Sequence, residues 1–117
     1  MEEIKLIEEW SKKRGLDSSN SDKQLIKLVE EVGELSEAHN KGWRGKQIDS
    51  IGDIFVVLTI YALQNGLHID NCIKEACNTI KERTGETVNG VFITPPLVTT
   101  KKPHLFCVVP LLLQANL

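Results

Sequence analysis

Leu28-Val-Glu-Glu-Val-Gly-Glu-Leu-Ser-Glu-Ala38 and, further on, Ile48-Asp-Ser-Ile-Gly-Asp-Ile-Phe-Val-Val-Leu58 decide how this chain is read. Both stretches repeat apolar residues at helical spacing, and neither contains proline. Together they hold six carboxylates within 24 residues: Glu30, Glu31, Glu34, Glu37, Asp49 and Asp53. At about 100° per residue, Glu30, Glu31 and Glu34 fall within one arc of a helix. Like charges at i,i+4 repel, so the spacing costs stability unless something positive compensates. On the helix of the first stretch, Leu25, Leu28, Val29, Val32 and Leu35 form the apolar stripe expected to face the core. The glutamates then lie beside or opposite it, where acids ordinarily make a solvated face. Asp49 and Asp53 have no such refuge, because Ile51, Ile54, Phe55, Val56, Val57, Leu58 and Ile60 surround them on their helix. Carboxylates seldom enter apolar surroundings unless paired or bound to a metal. Hard oxygen ligands on facing helices suit Mg²⁺ or Mn²⁺.

The rest of the composition narrows the class. A chain of 117 residues supports one domain with a single modest core. With 14 basic and 16 acidic residues the net charge is −2, a balance that offers no electrostatic footprint for nucleic acid. Cys72, Cys77 and Cys107 leave one thiol over in any pairing. Cys72 and Cys77 are expected to be buried small hydrophobes in a reducing compartment. The start, Met-Glu-Glu, has no basic-then-apolar signal pattern. The longest apolar run, residues 54–63, is far short of the roughly 20 residues that span a bilayer. A soluble, cytoplasmic protein without a membrane segment is the expectation.

Ile4, Leu6, Ile7 and Trp10 among charges predict an amphipathic helix over 2–14, ended by Gly15. Residues 16–20 are a polar connector. Ser21 with Gln24 matches a capping box that opens a second helix to about residue 40. Lys41-Gly-Trp-Arg-Gly45 reads as a loop, and a third helix follows over about 46–64. Asp70 is placed to cap a fourth, running to about residue 83. The expected architecture is all-α, a compact bundle of about four helices joined by connectors of about four to seven residues. The third helix, apolar nearly all round, must be central. In so small a protein that implies further cover by a second subunit.

Composition changes after Glu86. No acidic residue follows, and Pro95, Pro96, Pro103 and Pro110 all lie there. The division expected is a helical domain over 1–87 and an extension over 88–117. Residues 88–93 suit a short strand or an extended arm. Residues 106–113 are β-prone and apolar. The extension carries no functional assignment.

The paired acidic motifs, Glu30-Glu31-x-x-Glu34 and Asp49-Ser-Ile-Gly-Asp53, resemble those of the MazG-like all-α nucleoside triphosphate pyrophosphohydrolases, closest to short phage-type and stand-alone members. The likeness continues through Asn78-Thr-Ile-Lys81-Glu-Arg83-Thr-Gly85 and Thr87-Val-Asn-Gly-Val-Phe92, and covers about residues 1–93. It departs at Ser50, where the family's Glu-x-x-Asp pattern has a glutamate. Asp49, at i,i+4 from Asp53, is the substitute expected. The resemblance implies Mg²⁺-dependent (or Mn²⁺-dependent) hydrolysis of a nucleoside triphosphate between its α and β phosphates. The implied ligands are Glu30, Glu31, Glu34, Asp49 and Asp53, with Glu31 and Glu34 in catalysis and Glu31 as base. Asn78, Lys81 and Arg83 become candidates for phosphate or sugar, and Trp43 for stacking on a base. Family relatives form dimers or pairs of dimers, so a homodimer or homotetramer is expected, with Lys41, Arg44 or Lys46 of one subunit near another's substrate. Three alternatives stay open at this point: a phosphoribosyl-ATP or dUTP pyrophosphohydrolase, a degenerate member, and a helical interaction module without catalysis.

Overall fold

The computed structural model describes residues 1–95. Four helices, α1 (Glu2–Lys13), α2 (Ser21–Lys41), α3 (Arg44–Gln64) and α4 (Ile69–Glu82), precede two short strands, β1 (Glu86–Val88) and β2 (Val91–Ile93). A single 3₁₀ turn, Leu16–Ser18, links α1 to α2. The protein is all-α, as its hydrophobic periodicity predicts. Contacts divide the chain into a helical unit, Met1–Lys81, and a second unit from Glu82 onward. Residues 106–113, and the rest of the extension beyond residue 95, lie outside the described residues.

The start of α2 differs from the capping-box reading. Asn20 is the N-cap, its side-chain oxygen accepting from the Asp22 N–H at 2.8 Å. Gln24 is thereby free for longer-range work, and its Nε2 donates to the Val57 carbonyl on α3 at 3.5 Å. The far end of α2 closes on Gly42, which is left-handed at φ 69°. The Gly42 and Trp43 N–H groups return to the His39 and Ala38 carbonyls at 3.3 and 2.9 Å, satisfying the last turn. The connector between α2 and α3 is therefore two residues, Gly42 and Trp43, shorter than expected, and α3 begins at Arg44.

So tight a turn makes α2 and α3 an antiparallel pair. Gln24 is level with Val57 and Ala38 with Trp43, so each step along α2 is matched by one step back along α3. The inward positions of α2 are Gln24, Leu28, Glu31, Leu35 and Ala38; those of α3 are Gln47, Ser50, Ile54, Val57 and Tyr61. Both runs alternate steps of four and three, the spacing of helices packed nearly parallel to one another. The stripe read from apolar residues alone is thus rotated: Leu25, Val29 and Val32 are exposed, and Glu31 is in the seam.

The other side of α3 packs on α1 and the 3₁₀ turn, which makes α3 the central helix as expected. Ile4 and Ser11 of α1 are buried, as are Val57, Thr59, Ile60 and Ala62 of α3. The buried hydroxyls bond within their own helices, Ser11 to the Glu8 carbonyl at 3.0 Å and Thr59 to the Phe55 carbonyl at 2.8 Å. Gln64 Nε2 donates to the Leu16 carbonyl at 2.8 Å and pins the 3₁₀ turn.

By contrast α4 has no buried residue and packs along none of the other helices. Its first turn starts on the His68 carbonyl, and His68 Nδ1 lies 2.9 Å from Glu8 Oε2 of α1. Asp70 sits inside the helix and accepts only from the adjacent Asn71 N–H. Cys72 and Cys77 are exposed free thiols, a correction to the expectation that they fill a core.

In the second unit β1 and β2 form an antiparallel hairpin, with Glu86 opposite Ile93 and Val88 opposite Val91. Asn89 and Gly90 make its two-residue turn at φ 52° and 79°, the left-handed pair that such hairpins require. No helix among the described residues is by itself long and apolar enough to cross a membrane.

Candidate active site

The two sides of the α2–α3 pair differ in chemistry. Val32, Leu35, Ser36 and His39 of α2 line one groove with Gln47 and Ile51 of α3, which fixes that side of the hairpin as largely apolar. At about 100° per residue, Lys27, Glu30 and Glu34 turn to the opposite side of the α2 stripe, and Asp49 and Asp53 to the opposite side of the α3 stripe. The acids of both helices therefore share one side, with Glu31 in the seam between them.

Glu31 has the most constrained environment of the set. Its side chain is 8% exposed, and Oε1 lies 3.2 Å from the Lys27 ammonium. Oε2 is buried with no hydrogen-bond partner among the described residues. A buried carboxylate oxygen left unpaired is costly, so the position asks for a positive group or a donor. Lys27 also reaches Glu30 Oε2, at 3.6 Å. Its hydrogen bond to Glu31, together with the charges of Glu31 and Glu30, raises the Lys27 pKa above the ordinary lysine value.

Across the seam, level with Glu31, is Ser50, 1% exposed. The residue the sequence puts in place of a glutamate is the one that faces α2. Asp49, the expected substitute, is exposed beside it, and so are Asp53, Glu30, Glu34 and Glu37. Glu37 is paired with Lys41 at 3.3 Å. In this conformation no three acidic, histidine or cysteine side chains among the described residues converge closely enough to hold a metal ion. The free Glu31 oxygen and the carboxylate chemistry around it nonetheless fit a hard divalent cation.

The proposed substrate contacts are less gathered. Trp43 is about half exposed, and the Lys41 ammonium sits over its ring, 4.6 Å from the centroid. Arg44 Nη1 donates to Gln47 Oε1 at 3.3 Å. Asn78 and Lys81 are exposed on α4, which does not pack on α2 or α3, so one copy of the chain does not draw them to the acids. Arg83 is exposed in the second unit. Sequence reasoning missed Lys27; the signal was a lysine at i,i+4 from Glu31 and i,i+3 from Glu30.

Four helices with paired acids on α2 and α3 fit the all-α MazG-like class. Residues 2–84 match the family described as phosphoribosyl-ATP pyrophosphohydrolase, and the chain belongs to that family. It is also 47% identical, over 73 residues, to the "Uncharacterized 18.2 kDa protein in rep-hol intergenic region" of Haemophilus phage HP1. That match covers 62% of this chain and 44% of the phage protein, so the chain spans less than half of that relative's length. No solved structure matches.

Proposed function

We propose that the chain is a cytoplasmic, Mg²⁺- or Mn²⁺-dependent pyrophosphohydrolase that cleaves a nucleoside triphosphate between its α and β phosphates. The observation that carries the reading is the buried, unpartnered Glu31 oxygen beneath acids contributed by two helices. Membership in a pyrophosphohydrolase family supports the reaction class. The cation would be held by Glu31, Glu34 and Asp53, with Glu30 and Asp49 at the rim. When bound it supplies the positive charge without which an acidic cluster repels a triphosphate.

The chain's own residues do the rest. Glu31 accepts a proton from the attacking water while Glu34 orients that water. The water oxygen bonds to the α-phosphorus, the bond from that phosphorus to the bridging oxygen breaks, and pyrophosphate leaves. Lys81 and Arg83 offset the charge of the leaving pyrophosphate, Asn78 binds phosphate or sugar, and Trp43 stacks on the base once Lys41 yields its face. Because α4 stands away from the acids, Asn78 and Lys81 would serve the site of a second copy in a homodimer or homotetramer. Lys41, Arg44 and Lys46 would approach a neighbour's triphosphate in the same assembly.

The matched family's description favours one second reading, phosphoribosyl-ATP, which carries the same triphosphate. Pyrophosphate release with Mg²⁺ across common ribo- and deoxyribonucleoside triphosphates, dUTP and phosphoribosyl-ATP tests both. Release from any of them, abolished by Glu34→Gln, supports the reaction class, and the preferred substrate names the member. No release from any would favour the interaction module or a degenerate enzyme.

A further inference from the structure

The residue that compensates the acidic cluster comes from the chain itself. We infer that Lys27 is a built-in counter-cation, held on Glu31 and Glu30 in the metal-free protein and expelled when a divalent cation takes Glu31. The inference rests on the proposed metal site, and it adds a residue that sets the affinity of that site.

Three observations converge. Lys27 Nζ is 3.2 Å from Glu31 Oε1 and 3.6 Å from Glu30 Oε2, so one ammonium spans both carboxylates of the Glu-Glu pair. The Glu31 side chain is 8% exposed whereas that of Lys27 is 53% exposed, so the acid is fixed and the base stands at the solvent edge. The second Glu31 oxygen is buried and unpartnered, and Lys27 satisfies only half of the carboxylate.

A dication on the free Glu31 oxygen would come within a few ångströms of the ammonium on the other oxygen, and two positive charges at that range repel. Glu31 is buried in the seam. Lys27 has a long flexible stem and water beside it, so it is the group that leaves. The ammonium therefore stabilises the empty site and competes for the filled one.

The test follows thermal melting of the metal-free chain against increasing Mn²⁺, with no nucleotide present. Lys27→Met keeps the apolar stem and removes the charge, and Lys27→Arg keeps the charge. The metal-free Lys27→Met protein should melt below wild type. Its half-maximal Mn²⁺ response should come at a concentration about threefold to fivefold lower, the scale of one partly exposed ion pair. Lys27→Arg should behave as wild type. An unchanged or weakened Mn²⁺ response in Lys27→Met overturns the exchange while leaving the metal site standing. No Mn²⁺ response in wild type, and none in the variants, overturns both.

Discussion

Glu31 and Ser50 lie level with each other across the seam of α2 and α3, and both are buried. One is a carboxylate with a free oxygen, the other a small hydroxyl-bearing residue where the family pattern has an acid. A second carboxylate in that seam would need the same compensation that Glu31 draws from Lys27. The serine lowers that demand.

Replacing Ser50 by glutamate tests this relationship directly. Without cation, Ser50→Glu should destabilise the fold by at least about 2 kcal/mol, because a second buried acid faces Glu31. Saturating Mn²⁺ should recover most of that loss. A variant as stable as wild type in the absence of cation would show that position 50 does not share the environment of Glu31.

If Asp49 supplies the oxygen that Ser50 lacks, Asp49→Asn should lower turnover at least about tenfold, roughly 1.4 kcal/mol in barrier terms. Ser50→Ala should be mild, since it removes no carboxylate. Steady-state pyrophosphate release decides the order. The reverse order would give Ser50, or a water it holds, the role assigned to Asp49.

Glu34 is exposed, so it is separable from folding. Mn²⁺ should raise the melting temperature of wild type, because a ligand bound only by the native state stabilises it by mass action. Glu34→Gln should remove most of that shift. Without metal it should leave stability equal or a few tenths of a kcal/mol higher, one repelling charge having gone. A full Mn²⁺ response in Glu34→Gln would take Glu34 out of the site.

The helices were legible because apolar residues recur at helical spacing between glycine and polar breaks. The face of α2 was not. Counting apolar residues picks out Leu25, Val29 and Val32, but the buried run passes through Gln24 and Glu31, whose polar side chains do not mark a core. A seam that includes a buried carboxylate hides itself from a hydrophobicity count. The same count could not show that Asp49 is exposed while Ser50 is buried, a difference of one residue set by the register at Gly42 and Trp43. Asn89-Gly90 is a hairpin signal, and the reading of residues 88–93 as one strand or arm passed over it.

Gly42 fixes that register. At φ 69° it adopts a conformation costing other residues about 1–2 kcal/mol, and its surroundings leave room for a methyl group. Gly42→Ala should therefore lose about 1 kcal/mol through backbone strain alone, a fall of several degrees in melting temperature. An unshifted melting curve would mean that the turn relaxes freely. The seam would then owe its register to packing alone.

The described residues of one copy leave apolar surface uncovered. In the C-terminal half of α3, Val57, Ile60 and Ala62 are buried within the chain, and the most exposed apolar surface is elsewhere. It lies on Leu25, Val29 and Val32 of α2, on Ile48 and Ile51 of α3, and along α4. On α4, Ile69, Ile73, Ala76 and Ile80 recur at steps of four, three and four, a packing face none of which is buried among the described residues. Soluble monomers seldom expose so much. Light scattering at micromolar concentration should return two or four times 13.1 kDa. Ile73→Asp combined with Ile80→Asp should shift the population toward the single-chain mass and raise KM, since Asn78 and Lys81 would no longer reach a neighbour's site. A wild-type mass of one chain would sink both the assembly and the shared site. A dimer that survives the double substitution with KM unchanged would move the interface to the α2–α3 groove.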